Sequence, residues 1–345
     1  MKISMGMSIQ DGPFGGGNQF GKALVNHLEQ QQIAVRFDLQ DKDIDLILLT
    51  DPRKSLRITA YDMEDIVHYL KYVNPNAIVV HRINECDERK NTRHVNQILR
   101  DANQFADHTV FVSAWLRDLH LDQGMTAHPN TVIHNGSDQR IFNMNGHQAW
   151  NGSDPLKIVT HHWSDNWNKG FDIYQKLDQL LAQDPYKSIF EFAYIGNIPA
   201  DFAFENSQHI MPLSGEALAD ALREHHVYIS GSLFDPGPNH QNEGGNCGLP
   251  FLYRPSGGLT EYCQDFGIAL TLDNLPEKLM EMVETYEHWQ AKIADYPYTS
   301  DRMAAQYRDL FVNLVNNREA YLAKRAWFED SWWLRMRRNM NLWMR

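Results

Sequence analysis

The sequence predicts an α/β protein made of two doubly wound parallel-sheet units in series. Three observations carry that expectation. Short apolar runs alternate with longer stretches of 3.6-residue period throughout the chain. The alternation stops at a polar connector rich in Asn and Gly, over about residues 139–155, and then restarts. The length, 345 residues, exceeds what one core usually supports. Two such units imply a cleft between them, with ligands beyond the carboxyl ends of the strands.

In chain order, the first unit reads as strands at 2–9, 33–37, 46–49, 77–81, 109–112 and 131–133, with helices at 20–31, 62–72, 92–105 and 114–121. Strands resume at 157–160, 189–194, 227–230, 250–253 and 268–270, and the helices from about 301 to 345 have no strand after them. The expected division is residues 1–145 for the first unit and 155–320 for the second.

With 43% hydrophobic residues the chain can fill two cores. A net charge of -12 argues against nucleic acid as a partner, because phosphate neutralisation needs a basic surface. Cys86, Cys247 and Cys263 are odd in number and lack metal-type spacing, which points to a reducing, cytoplasmic setting. The opening residues carry one Lys and a short apolar run that enters glycines directly, as a first strand does and a signal peptide does not. No apolar run is long enough to span a membrane. Asn135-Gly136-Ser137 and Asn151-Gly152-Ser153 are glycosylation sequons by letter only, since no secretory signal precedes them.

The most informative segment runs from Phe234 to Glu261 and reads FDPGPNHQNEGGNCGLPFLYRPSGGLTE. Asp235 and Glu243 frame a turn at Gly237-Pro238, and Gly244, Gly245 and Gly248-Leu249-Pro250 close a short helix before the apolar run Phe251-Leu252-Tyr253. Backbone N–H groups at such a helix start can hold a diphosphate, and a carboxylate there can accept from sugar hydroxyls. The same letters also read as a solvated turn with a capping Glu.

Asp235, seven residues, then Glu243-Gly244-Gly245-Asn246-Cys247-Gly248-Leu249-Pro250 resembles the retaining glycosyltransferases of family four, whose pattern is acid, seven residues, Glu-Ala-x-Ala-x-Gly-x-Pro. The spacing agrees; Asp235 replaces the usual Glu, and Gly and Asn replace the alanines. Four further segments follow the family in order. Asp11-Gly12-Pro13-Phe14-Gly15-Gly16-Gly17-Asn18 stands where the family approaches the donor diphosphate with a glycine-rich loop. Ile133-His134-Asn135-Gly136-Ser137-Asp138 parallels its Pro-Asn-Gly-Val-Asp landmark. Lys169-Gly170 parallels its Lys-Gly, and Ser256-Gly257-Gly258-Leu259-Thr260-Glu261 its Gly-Gly-x-x-Glu. One departure is Ser164, which stands where relatives usually place an arginine five residues before the lysine.

The resemblance implies the GT-B fold and metal-independent transfer of a hexose, with retention, from a nucleoside diphosphate sugar to a saccharide or other glycan acceptor, without a cofactor. It implies that Lys169 neutralises the diphosphate, Glu243 holds the ribose, Asp235 touches the donor sugar, and His81 or its neighbour Arg82 sits near the reacting sugar. Gly15, Gly16, Gly17, Asn239, Gly257 and Gly258 complete the expected donor site, and the residues from Asn84 to Arg93 the polar acceptor side. It also implies a final helix, over 325–345, that crosses back to the first unit. A packed closing helix is favoured there over peripheral membrane contact, although the arginines and tryptophans of 332–345 suit either.

Two other functions remain open from the sequence: a nucleotide-sugar epimerase of the same architecture, and a non-catalytic nucleotide-sugar-binding protein. Metal binding by His161, His162 and Asp165 is disfavoured because adjacent strand residues point in opposite directions. Asp43-Ile44-Asp45 imitates a metal-binding Asp-x-Asp but reads as the boundary of a strand.

Overall fold

Each half of the chain folds onto its own parallel sheet in the computed structural model, which describes residues 1–10 and 16–325. The first sheet contains β1 (Lys2–Met5), β2 (Ala34–Arg36), β3 (Leu46–Leu49), β4 (Ile78–Ile83), β5 (His108–Phe111) and β6 (Asn130–Val132), in the order β2-β1-β3-β4-β5-β6. The second contains β7 (Leu156–His162), β8 (Phe190–Gly196), β9 (Gln208–Ile210), β10 (Val227–Ser230), β11 (Phe251–Tyr253) and β12 (Gly267–Ala269), in the order β12-β11-β10-β7-β8-β9. Strand order reverses between β1 and β3 and between β7 and β10. In doubly wound sheets these reversals open crevices at the carboxyl ends of the strands.

β3 shows why the strands are readable as apolar runs. Leu46 and Leu48 enter a core with the helix Gly16–Gln30, while Ile47 and Leu49 enter the opposite core with the helix Met63–Tyr72. A strand covered on both faces needs apolar residues without alternation. β9, with the letters Gln-His-Ile, is the strand the sequence reading lacks; it is a short, polar edge paired only with β8.

The helix Ser300–Asn316 falls within the stretch expected for the second unit, yet Met303, Ala304, Tyr307, Phe311 and Leu314 pack in the core of the first. Tyr307 meets Phe20 edge-on at 5.2 Å between ring centroids. The chain therefore crosses back to the first unit near Thr299, whose side chain accepts from the Arg302 N–H and so starts the helix. Arg325 then anchors the chain by donating from Nε to buried Asp107 at 2.7 Å. The returning helix expected over 325–345, with its basic, tryptophan-rich tail, lies outside the described residues apart from Arg325. Among the described residues no helix is long and apolar enough to cross a membrane.

Candidate active site

The carboxyl ends of both sheets face one cleft of about 670 Å³. Gly16, Gly17, Arg82 and Arg89 line it from the first unit. Across from them stand His161, Lys169, Asp235, Asn239 and Glu243 of the second.

Lys169 ends a single helical turn, Trp167–Lys169, capped by the Asn166 side chain, which accepts from the Asn168 N–H at 2.9 Å. Gly170 follows with φ 102°, and a Cβ there would strike the backbone of Gly231 after β10. Only glycine satisfies both conditions, so the Lys-Gly pair places the ammonium at the β7/β10 crevice. There Nζ donates to Asp235 Oδ2 at 2.8 Å.

Asp235 is aimed by a constrained turn. Phe234 before it has φ 53°, an unusual value for a side chain of that bulk, and its N–H donates to Ser256 Oγ at 3.0 Å. Gly258 N–H donates to the Asp235 carbonyl at 2.8 Å. Burial alone would raise the Asp235 carboxyl; Lys169 and then Arg89 outweigh it and hold the group well below the usual carboxylate range. Burial lowers the Lys169 ammonium from its ordinary value against the opposing pull of Asp235. The Arg89 guanidinium is held charged, first of all by Asp235.

Glu243 lies on the short helix Asn239–Asn246, whose first turn faces the cleft. His161, at the end of β7, donates from Nε2 to Glu243 Oε2 at 2.7 Å; a carboxylate only accepts, so the proton between them belongs to the ring. The Tyr228 hydroxyl lies 3.1 Å from His161 Nδ1 and 3.1 Å from His240 Nδ1. His240 Nε2 in turn stands 4.0 Å from Asp235 Oδ2. Hydrogen-bond distances thus run from Glu243 through His161 and Tyr228 to His240, which stands beside Asp235 without bonding it. Burial pushes both His240 and His162 well below the usual histidine range, so these rings are neutral at physiological pH.

Asn135 bridges the units. Its amide oxygen accepts from Arg82 Nη2 at 2.9 Å and its Nδ2 donates to the Gly237 carbonyl at 2.7 Å. Arg82 also lies 3.9 Å over the Phe20 ring.

The structure brings Gly16, Gly17, Lys169, Asp235, Asn239 and Glu243 to this one cleft; a Cβ on Gly16 would run into the Asn239 side chain across it. Three expected positions fall elsewhere. His81 is fully buried in β4, with Nδ1 3.0 Å from Asn103 Oδ1 and its pKa pushed down by burial to about 4. The pleat sends alternate residues to opposite faces, and Arg82 is the one that reaches the cleft. Gly257 and Gly258 support the site from behind: Gly257 has φ 63°, and a Cβ on it would lie 2.5 Å from the Asp235 carbonyl oxygen. Gly15 lies outside the described residues.

Tyr228 and His240 were not singled out from the sequence, and Arg89 only as part of the Asn84 to Arg93 stretch expected on the acceptor side. Arg89-Lys90 after a strand end is a basic pair that could have signalled a site. Tyr228 is hidden inside an apolar strand.

No family model matches the chain, and no curated protein matches it. Among solved structures, sucrose-phosphate synthase from Thermosynechococcus elongatus is similar over 92% of this chain and 99% of its own, at 12% identity and a TM-score of 0.65. Anabaena HepE, solved with UDP, is similar over 91% of this chain and 100% of its own, at 13% identity and a TM-score of 0.64. A glycosyltransferase from Rickettsia africae covers 92% and 99%, at 13% identity and a TM-score of 0.60. The fold is the GT-B architecture of two Rossmann-like units about a cleft.

Proposed function

We propose that this chain is a retaining glycosyltransferase that moves a hexose from a nucleoside diphosphate sugar to a glycan acceptor in the cytoplasm. The observation that carries the reading is the convergence of Lys169, Asp235, Glu243 and the amides at Gly16 and Gly17 on one cleft between two units. The neighbours support it: HepE has been solved with UDP-glucose, and TarM from S. aureus with UDP and a GlcNAc-glycerol.

In this reading Glu243, fixed by His161, accepts from the ribose hydroxyls, and Asp235 accepts from the hexose. The Lys169 ammonium and the amides at the helix starts take up the charge that develops on the leaving diphosphate. That assignment gives a metal ion no role. The anomeric carbon–phosphate oxygen bond breaks as the acceptor oxygen bonds to the same face of that carbon, and the acceptor proton passes to the leaving phosphate. The cleft walls exclude the water that would hydrolyse the donor. His81, buried within β4, is given no part in it.

Transfer is measured as nucleoside diphosphate released in the presence of acceptor, with each donor also incubated alone to reveal epimerisation. Lys169→Ala and Glu243→Ala are expected to abolish release while leaving the circular dichroism of the wild type; near-normal turnover in both removes the assignment.

A further inference from the structure

We infer that Arg89 is a second cation for the donor diphosphate, delivered from the unit opposite Lys169, so that diphosphate binding and closure of the two units are one event; this rests on the donor reading above. Arg89 sits in the single helical turn Asp87–Lys90, beyond the carboxyl end of β4. Its side chain faces the second unit, with Nε 3.9 Å from Asp235 Oδ2 and Nη1 3.5 Å from Glu85 Oε2. The first distance is too long for a hydrogen bond, and Nε is buried without any hydrogen-bond partner. A buried guanidinium N–H left over at a cleft wall is a donor waiting for an acceptor.

The charge distribution points the same way. Among the described residues that line the cleft, the strands and loops of the second unit contribute one lysine or arginine, Lys169, and it already bonds Asp235. Arg82, Arg89 and Lys90 come from β4 and the turn after it, Lys22 from the helix Gly16–Gln30 and Arg140 from the connector between the units. Arg82 is engaged by Asn135 and the Phe20 ring although its Nε, like that of Arg89, has no partner among the described residues; Lys90 donates to Glu85 Oε2 at 2.9 Å and Arg140 to Asp138 Oδ1 at 2.8 Å. A leaving diphosphate carries more charge than one half-neutralised lysine can balance, and of these cations Arg89 is the one that already stands beside Lys169 at Asp235, with Nε 3.9 Å from Oδ2.

The turn is also built to hold Arg89 in place. The Asp87 carboxylate accepts from the Val95 and Asn96 N–H groups, each at 3.0 Å, and from Thr92 Oγ1 at 2.6 Å. From the other unit Asn168, next to Lys169, donates to the Arg89 carbonyl at 3.3 Å. The two cations therefore share one phosphate only while the units are together, and a ligand that touches both favours the closed arrangement by its differential affinity.

The test compares wild type, Arg89→Ala and Arg89→Lys by calorimetry against UDP, GDP, ADP, CDP and dTDP and the matching monophosphates, with small-angle scattering of the same samples. We expect Arg89→Ala to weaken the preferred diphosphate about 10- to 100-fold, in line with loss of a charge-assisted hydrogen bond, while the monophosphate changes less than about threefold. Arg89→Lys recovers part of the loss, and the diphosphate contracts the wild type but not Arg89→Ala. Diphosphate binding within about threefold of wild type in Arg89→Ala, equal losses for mono- and diphosphate, or contraction that is absent from the wild type or equal in both proteins overturns the inference. If those results come with binding that still depends on Lys169 and Glu243, the donor reading stands without it. A wild type that binds no nucleoside diphosphate removes both.

Discussion

Lys169 Nζ donates to Asp235 Oδ2 at 2.8 Å, joining the turn after β7 to the turn after β10 at the floor of the cleft. Arg89 approaches the same oxygen at 3.9 Å, so one carboxylate serves two cations from two units. The asymmetry predicts unequal costs. Asp235→Ala leaves two cations facing each other with no acid between them and is expected to cost about 3–5 kcal/mol in urea unfolding, as breaking a buried pair does. Lys169→Ala leaves Asp235 with Arg89 and costs less. Equal costs would mean that the pair is not the organising contact.

The acid dependence of that pair has a definite sign. Asp235 has its pKa depressed in the fold, so its contribution is fully present above the ordinary aspartate value of 3.8 and is lost as pH falls through its lower folded value. Wild type and Asp235→Asn are therefore expected to differ in stability by a constant amount between pH 5 and pH 8. A gap that closes across this range would show that another group sets the charge at the cleft floor.

Much of this site is legible in the letters, for a physical reason. Turns that place side chains at a ligand require Gly, Pro and Asn at fixed offsets, so Lys169-Gly170 and the Asp235 to Pro250 segment are readable without coordinates. What is not readable is parity and partnership. His81 and Arg82 are neighbours on β4, a strand buried along its whole length, and no alternation of polarity says which one turns to the cleft. Arg89 gains its meaning only from the unit facing it. The course of the helix Ser300–Asn316 is hidden likewise: its apolar stripe shows that it packs, not on which core.

Glu243 receives its hydrogen bond from His161 at 2.7 Å, which selects one carboxylate orientation for the ribose. His161→Ala is expected to weaken nucleoside diphosphate binding about tenfold, the loss of one charge-assisted hydrogen bond. His161→Gln, which keeps a donor, should recover part of it. Calorimetry on both proteins decides, because a merely structural histidine would not be rescued in affinity by an amide.

The glycines divide into two kinds. Gly257 combines φ 63° with a Cβ position 2.5 Å from the Asp235 carbonyl oxygen, whereas a Cβ on Gly17 would meet nothing within 4 Å. Gly257→Ala is expected to destabilise the protein by about 1–3 kcal/mol and to displace Asp235. Gly17→Ala should leave thermal stability unchanged and lower donor affinity, because its open side faces the cleft. Unchanged donor binding in Gly17→Ala would mean that the amino-terminal glycines do not approach the ligand.

Glu261 links the units at a second point. Its carboxylate accepts from the Ala114 and Trp115 N–H groups, at 2.8 and 2.7 Å, at the start of the first unit's helix Ala114–Asp122, and from His134 Nε2 at 3.0 Å. Negative charge at a helix start is favoured by the unpaired amides and the dipole. Burial raises the Glu261 carboxyl, but His134, Trp115 and Ala114 together outweigh it, so its pKa lies below the ordinary 4.5. A depressed carboxylate stabilises above its unfolded value and loses that contribution as pH falls through the folded one, so this contact is intact at pH 6 and is lost only in stronger acid. Glu261→Ala should therefore lack this contact at pH 7, with a larger radius of gyration in small-angle scattering and faster proteolysis between the units than the wild type. Tyr262 limits the effect, because its hydroxyl donates to the Val112 carbonyl at 2.8 Å and accepts from the Asn135 N–H at 2.9 Å. The double variant Glu261→Ala, Tyr262→Phe is expected to open the cleft further than either change alone; a radius of gyration equal to wild type in the double variant would place the hold between the units elsewhere.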